Sequence, residues 1–490
     1  VEREILVSAD ARETRVALLE TGAVVEAAIE RHSDRSQVGN IYKARVTRVL
    51  PGMQSAFLDI GLERDAFIHV TDCLAPEAGG PFIPDAVRSE IPRIESVLQE
   101  GEAVLVQIVK EAIAGKGSRV TRGISLPGRY LVLVPLTSHV GISRKIEDEA
   151  QRERLRDMVM RLRSGHEGYI VRTAAAEQGE AEMVEDMAYL RGIWQNLRTR
   201  AAAVAAPALL HHDLDRPFQL LRDLFGGSVT RVLVEGEEIH RRILDFVADI
   251  APRATHRVER YSDPLPLFEA RGVRREIDRA LRNKVWLKSG GSIVINQTEA
   301  LVSVDVNTGK YTGRRNLEDT ILKINLEAVR EIVRQLRLRD LGGIIVIDFI
   351  DMELPESRQT LFGVLQAELQ KDRARNYLHQ LSDFGLVQIT RRRARRSLER
   401  TLCRPCPICR GSGRVKAPPT VASEILMELR CALAESPAEE LRVRAHPEVV
   451  DQIEAEGDDF IGALRGVGGF KVKIDADPSL SLESYEIEAP

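Results

Sequence analysis

Asp305 and Asp348 each stand where a strand-like run gives out, and a helical stretch joins the two runs. Two carboxylates so placed can share one divalent cation. Asn307, two residues past Asp305, falls on the same side of its strand and can orient a water or a phosphate oxygen. The same residue types have a plainer use. Asp and Asn form turns readily, and Asp305 with Asn307 could close an Asx-turn ahead of Gly309.

The elements that must position these acids are legible around them. Residues 292–296 and 301–306 are β-rich runs separated by Gln297, Thr298 and Glu299, and so read as a hairpin. Over 319–339 apolar residues recur at Leu322, Leu326, Val329, Ile332, Val333 and Leu336, the 3.6-residue period of an amphipathic helix. Gly342 and Gly343 end it. Residues 344–350 form an almost unbroken apolar run, of the kind covered on both faces in a parallel sheet, interrupted by Asp348. A right-handed crossover makes the two acid-bearing strands parallel, with both acids at the carboxyl edge where such sheets hold ligands. Neighbouring strands are about 4.8 Å apart, which suits one shared cation.

Composition sets the broad class. With 43% hydrophobic and 29% charged residues the chain reads as a soluble globular protein, and 490 residues call for several domains. No apolar stretch reaches the roughly 20 residues of a membrane span, and the start VEREILVSAD lacks the order of a signal peptide, so a cytoplasmic protein is expected. Three of the five cysteines, Cys403, Cys406 and Cys409, share one short segment, a metal-site pattern rather than a disulfide framework. Cys73 and Cys431 are isolated and read as buried thiols. The net charge of -4 gives no global sign of nucleic acid, yet Arg391, Arg392, Arg393, Arg395, Arg396, Arg400 and Arg404 crowd one stretch. Such a run is a solvated surface or a means of neutralising phosphates.

Near the N-terminus, runs at 41–49, 54–60 and 66–70 are divided by Pro51-Gly52 and Gly61. Short strands bearing Phe57 and Phe67 beside Lys43, Arg45 and Arg48 suit a small OB-type barrel that stacks bases. The string VGNIYKARVTRVLPGMQSAFLDIGLERDAFIHVTD closely resembles the ribosomal S-one type of RNA-binding domain, with Lys116 a basic neighbour on the same barrel. Together with SVDVNTGKYTG, NLEAVREIVRQLRLRDLGGIIVIDFIDM and CPICRGSG, in that order, the chain resembles the bacterial ribonuclease E/G family over residues 1–416, and more weakly afterwards.

That resemblance implies a Mg2+-dependent endoribonuclease of single-stranded RNA, acting in ribosomal RNA maturation, tRNA processing and mRNA decay and leaving 5'-phosphate and 3'-hydroxyl ends. Asp305 and Asp348 would hold one Mg2+ per active site, with Asn307 beside them. Lys310, Arg375 and Arg373 are candidates for RNA phosphates. Arg172 and Thr173, in GYIVRTAAAEQ, with Gly128 and Val132, in PGRYLVLVP, would form a pocket for a stimulating 5'-monophosphate. Cys406 and Cys409 would supply half of a structural Zn2+ site shared by two chains, giving a metal-linked homodimer, with a tetramer as the alternative. A one-chain site of all three cysteines with His379 or His446 is the alternative.

The implied architecture is α+β and multidomain. An RNase H-like unit (1–37 and 217–280) is interrupted by the OB-fold barrel (38–122) and a 5'-sensor region (123–216). A DNase I-like α/β catalytic domain (281–402), a zinc link (403–416) and a small α/β C-terminal domain (417–490) follow. No long scaffold follows Pro490, as expected of the shorter, ribonuclease G-type branch, and the chain opens on Val1 rather than methionine. The competing class is a non-catalytic RNA-binding or ribosome-associated factor, which needs the barrel and the arginines but no paired acids.

Overall fold

Alternation along Leu301–Asn307 puts Val302, Val304 and Val306 on one side of a strand and Ser303, Asp305 and Asn307 on the other. The computed structural model builds a six-stranded sheet around it; the model describes residues 2–34, 36–74, 92–112, 117–165, 167–225, 229–309, 317–379, 386–392, 396–435, 440–457 and 471–488. The strand order is Lys284–Trp286, Ser292–Gln297, Leu301–Asn307, Gly343–Asp348, Leu386–Arg391, Asn376–Leu378. Leu301–Asn307 and Gly343–Asp348 run parallel, and every other pairing is antiparallel.

The helix Leu317–Leu338 makes the crossover between the two parallel strands. Its Ile324, Val329, Ile332 and Leu336, with Leu361 and Leu365 of Pro355–Gln370, pack on Val302, Val304, Ile345, Ile347, Val387 and Ile389. Each such aliphatic side chain contributes about 1.5–3 kcal/mol by leaving water. Both helices lie on the same side of the sheet. Among the described residues, the run at 344–350 is therefore not covered on both faces as its composition predicts, and Ile344 is 44% exposed. The physical reason is the mixed pairing, since a strand with an antiparallel neighbour can leave one face to water.

Two further layers adjoin this sheet within the unit Val1–Thr401. A five-stranded sheet, ordered Val258–Tyr261, Val229–Glu235, Arg3–Ala9, Glu13–Glu20, Ala23–Arg31, joins distant pieces of chain, with Arg3–Ala9 parallel to Val229–Glu235. Phe218, Leu221, Ile243 and Val247 from two helices cover it, and Asp245 and Asp249 face outward. The other is a closed barrel of Ile41–Leu50, Ser55–Asp59, Ala66–His69, Arg119–Thr121 and Ala103–Lys110, sealed by pairing of the first strand with the last. Leading on from it, Leu126–Pro127, Leu131–Val134, Gly168–Val171 and Val140–Ile142 form a four-stranded sheet under the helices Glu149–Leu162 and Glu180–Ala203.

The second unit, Leu402–Pro490, has its own core of Val421, Ile425, Leu429, Val443, Val449 and Ile453 beneath a three-stranded sheet. Cys431 is exposed there, contrary to the sequence reading, because the inward side of its helix Pro418–Glu435 is taken by Val421, Ile425 and Leu429. Cys73 is half-buried, and burial pushes its thiol up to about 12. No helix among the described residues is long and apolar enough to cross a membrane.

The arginine-rich stretch divides by burial. Arg391 is 5% exposed, and its guanidinium donates to Asp372 (2.8 Å), Asp340 (3.0 Å) and the Leu341 carbonyl (2.7 Å). It is a structural residue rather than a phosphate ligand. Arg393 and Arg395 lie outside the described residues. Burial works to raise the Asp372 carboxyl, but Arg391 outweighs it and the group sits below its ordinary range. Asp372→Ala, which leaves the buried guanidinium with Asp340 as its remaining carboxylate partner and its Nε–H unpaired, should lower stability by about 1–3 kcal/mol. Urea titration followed by circular dichroism measures this, and a loss under 1 kcal/mol would show the pair to be dispensable.

Candidate active site

Asp305 and Asp348 are register partners across the parallel pair. Residues that pair across neighbouring strands share a face, so the two carboxylates emerge side by side, and both are exposed. The turn-forming alternative does not fit Asp305 and Asn307, because both lie inside the strand, opposite Val294 and Ser292. Asn307 Nδ2 donates to Asp305 Oδ2 at 2.8 Å, which fixes the direction of that carboxylate. Two anionic oxygen donors with a neutral amide beside them suit a hard cation that retains waters, as Mg2+ does.

One helix holds the loops that flank the pair. From Leu317–Leu338, Glu318 accepts the Glu353 and Leu354 N–H groups (3.2 and 3.1 Å), and Glu327 accepts those of Lys288 and Ser289 (2.6 and 3.1 Å). Asn325, fully buried between them, donates to the Ile350 carbonyl at 2.8 Å and accepts the Ile350 N–H at 3.2 Å, two residues past Asp348. Gly309 packs so closely on Gly290 that a Cβ would stand 2.3 Å from the Gly290 oxygen, which pins the turn after Asn307. Sequence reading missed Asn325, although a lone amide within the apolar ILKINLEAV stretch is the signal that could have found it.

In the four-stranded sheet, Arg172 and Gly128 come together. The Arg172 guanidinium donates to the Gly128 carbonyl and pairs with Asp223 at 2.8 Å, and Asp223 is shared with Arg222 at 3.0 Å. Burial would raise the Asp223 carboxyl, yet the two arginines prevail and hold it below its ordinary range. The Arg172 guanidinium also acts on the carboxylate of Asp186, so it stands between two acids that orient it, in the fork geometry that binds oxyanions. Thr173 Oγ1 lies 2.9 Å from Ser143 Oγ, a second hydroxyl that the sequence did not single out. Gly128 has no room for a side chain, because a Cβ would sit 2.6 Å from the buried Asp186 carboxylate, which accepts the N–H groups of Arg129, Tyr130 and Leu131. Val132 is half-buried opposite Ile170.

Phe57 and Phe67 pair across adjacent barrel strands, ring centroids 6.0 Å apart and edge to face. Both point outward, while Ala56, Leu58, Ala66 and Ile68 fill the barrel. Lys43 and Arg45 are committed elsewhere: Lys43 Nζ donates to the carbonyls of Ala201 and Val204, and Arg45 to that of Ala206. Arg373 pairs with Glu26, and Arg375 lies 4.9 Å from the Tyr377 ring centroid. Lys116 and Lys310 fall outside the described residues.

Cys406 is exposed and Cys409 partly so. N–H groups of Gly411 and Gly413 point at the Cys409 sulfur and hold its thiol below the ordinary range, which favours the thiolate a metal needs. Among the described residues no three His, Cys, Asp or Glu side chains gather as a metal site, so the one-chain alternative finds no cluster there. His379 contacts Thr390 at 3.4 Å, and His446 caps its own helix by accepting the Glu448 N–H.

The model of the Ribonuclease E/G family matches residues 125–394, and that of the RNase E/G thioredoxin-like domain matches 405–490. Ribonuclease G of Escherichia coli (strain K12) is 40% identical over 490 residues, covering 99% of each chain. Ribonuclease G of Haemophilus influenzae is 38% identical over 491 residues, again covering 99% of each. Ribonuclease E of Nostoc sp. is 37% identical over 79% of this chain and 57% of its own.

The role of Asn325 is testable by hydrogen exchange. Asn325→Leu removes both partners of the Ile350 peptide, a loss of about 1–3 kcal/mol for each group left unpaired. The Ile350 amide should then exchange at least tenfold faster while that of Ile345 in mid-strand does not. An unchanged rate at Ile350 would show that the asparagine does not fix this segment.

Proposed function

Because the chain belongs to the ribonuclease E/G family and is an endoribonuclease, we propose that it hydrolyses single-stranded RNA at Asp305 and Asp348 with bound Mg2+, leaving 5'-phosphate and 3'-hydroxyl ends. The observation that carries this reading is the register pairing of the two acids on an open sheet face. Their carboxylates would hold the ion, and Asn307 would keep Asp305 turned toward it. When bound, Mg2+ supplies an activated water and offsets charge building on the scissile phosphate. In this reading Phe57 and Phe67 stack bases of the incoming strand, and Lys116, Lys310 and Arg375 offset its phosphates.

Arg172, oriented by Asp223, and Thr173, next to Ser143, would grip a 5'-monophosphate within the wall formed by Gly128 and Val132. A chain gripped at its 5' end raises the effective concentration of its downstream segments at the acids. That favours decay intermediates over triphosphorylated transcripts and suits ribosomal RNA maturation, tRNA processing and mRNA decay in the cytoplasm. Cys406 and Cys409 would give two thiolates to a Zn2+ that needs four ligands, so that a second copy completes the site and forms a homodimer. A purely RNA-binding factor is disfavoured, since paired carboxylates facing a polyanion would only weaken binding.

The reading is tested with a short AU-rich RNA in Mg2+ and in chelator. Asp305→Asn and Asp348→Asn should each lower cleavage at least a hundredfold, and a residual rate within about tenfold of the parent, roughly 1.4 kcal/mol of barrier, refutes the assigned site. In the same assay Arg172→Ala should lower the rate on 5'-phosphorylated RNA alone; an equal loss on 5'-hydroxyl RNA would indicate misfolding instead. For the zinc link, Cys406→Ser should release metal and lower the mass measured by light scattering. An unchanged mass counts against it.

A further inference from the structure

The sheet that carries the acid pair keeps one face bare among the described residues, and each edge of that face presents an aromatic ring beside a cation. At one edge is Trp286, 67% exposed, with Lys284 Nζ 4.3 Å from its ring centroid. At the other is Tyr377, 49% exposed, with the Arg375 guanidinium 4.9 Å from its centroid. Strand pairing fixes both rings on the side of the acids. Trp286 pairs with Ser292, and Ser292 with Asn307. Tyr377 pairs with Thr390, and Thr390 with Ile344, which shares its face with Asp348.

Strand geometry gives the reach. Trp286 lies two strands from Asn307, about 10 Å across the sheet, level with a point about 7 Å past Asp305. Tyr377 lies about 10 Å from Ile344 on the opposite flank, level with a point about 13 Å before Asp348. His379, exposed and two residues beyond Tyr377, continues the same side. A diagonal across the face thus runs from Trp286 over the acids to His379 and Tyr377.

The core has no claim on either ring. Val285 and Leu378, their neighbours along the same strands, are the residues that pack inward. Exposed rings with adjacent cations, on a face continuous with two acids, have the composition of a platform for single-stranded nucleic acid. We propose that Trp286 and Tyr377 stack bases on either side of the scissile phosphate, with Lys284 and Arg375 offsetting the phosphates next to them. The inference rests on the nuclease reading above and deepens it. Stacking on a flat ring needs an unpaired base yet tolerates any base, so these platforms select single strands without selecting sequence.

The test compares cleavage of a 5'-phosphorylated single-stranded decamer by the wild-type chain, Trp286→Ala, Trp286→Phe and Tyr377→Ala. Each alanine variant should raise KM roughly 5- to 150-fold, the worth of one stacked base, and lower kcat less. Trp286→Phe should recover most of the loss. Binding is read separately from cleavage by tryptophan fluorescence: RNA should quench Asp305→Asn protein, and the quenching should be lost in the double variant with Trp286→Ala. A KM within twofold of wild type for both alanine variants, with cleavage intact, overturns the inference and leaves the nuclease reading standing. A wild-type chain that does not cleave overturns that reading instead, and the quenching experiment still decides the stacking. A fall in mass for Trp286→Ala with KM unchanged assigns the face to a second copy and likewise overturns the proposal.

Discussion

Two carboxylates on register-paired parallel strands repel each other. At about 4.8 Å and an effective dielectric of about 20, the cost is about 3.5 kcal/mol, less where water reaches between them. The sheet tolerates the pair because register is set from its other face. Val304, Val306, Ile347 and Phe349 are buried neighbours of the two acids along the chain. A slip of one residue would turn them out and the acids in. The apolar pattern that makes the core is thus also what aligns the charges, and a cation between them would remove the repulsion rather than add a new demand.

This explains which parts of the site could be read from sequence. The hairpin, the amphipathic crossover and the glycine stop are local signals, and the right-handed crossover rule converts them into a parallel pair. Asp305 and Asp348 follow from those local facts. Asn325, Ser143 and Asp223 do not, because each matters through a partner distant in the chain. The bare face was misjudged for a related reason: residues 344–350 are apolar throughout, and composition cannot say that both covering helices choose one side.

Charge shows the same limit. Seven arginines between 391 and 404 read alike in sequence, but Arg391 is buried between two aspartates. Lys43 and Arg45, which the sequence puts beside the base-stacking aromatics, instead satisfy carbonyls at the end of Glu180–Ala203 and just beyond it. A basic residue is free for a phosphate only after the protein's own acceptors are met, and that accounting needs the fold. The cations beside the rings of the acid-bearing sheet, Lys284 and Arg375, lie on the strand that carries the ring or immediately before it.

The helix Leu317–Leu338 and the Ser143–Lys145 segment together bear on how, in the proposed reading, a 5' end would influence a distant cut. The helix fixes the acid-bearing loops with Glu318, Asn325 and Glu327. Through Arg337 it also reaches Glu20 and Glu26 of the N-terminal sheet at 3.0 and 3.3 Å. Glu26 in turn binds Arg373, and Lys145 donates to the carbonyls of Arg373 (3.0 Å) and Ala374 (3.3 Å). Lys145 lies two residues from Ser143, the hydroxyl beside Thr173. Contiguity of this kind carries a signal only if some element has two arrangements. Without one, it makes the pocket and the acids two grips at a fixed separation. In the proposed reading, a strand held at its end would then be delivered to the acids by tethering alone, and stimulation by a 5'-phosphate would require no switch.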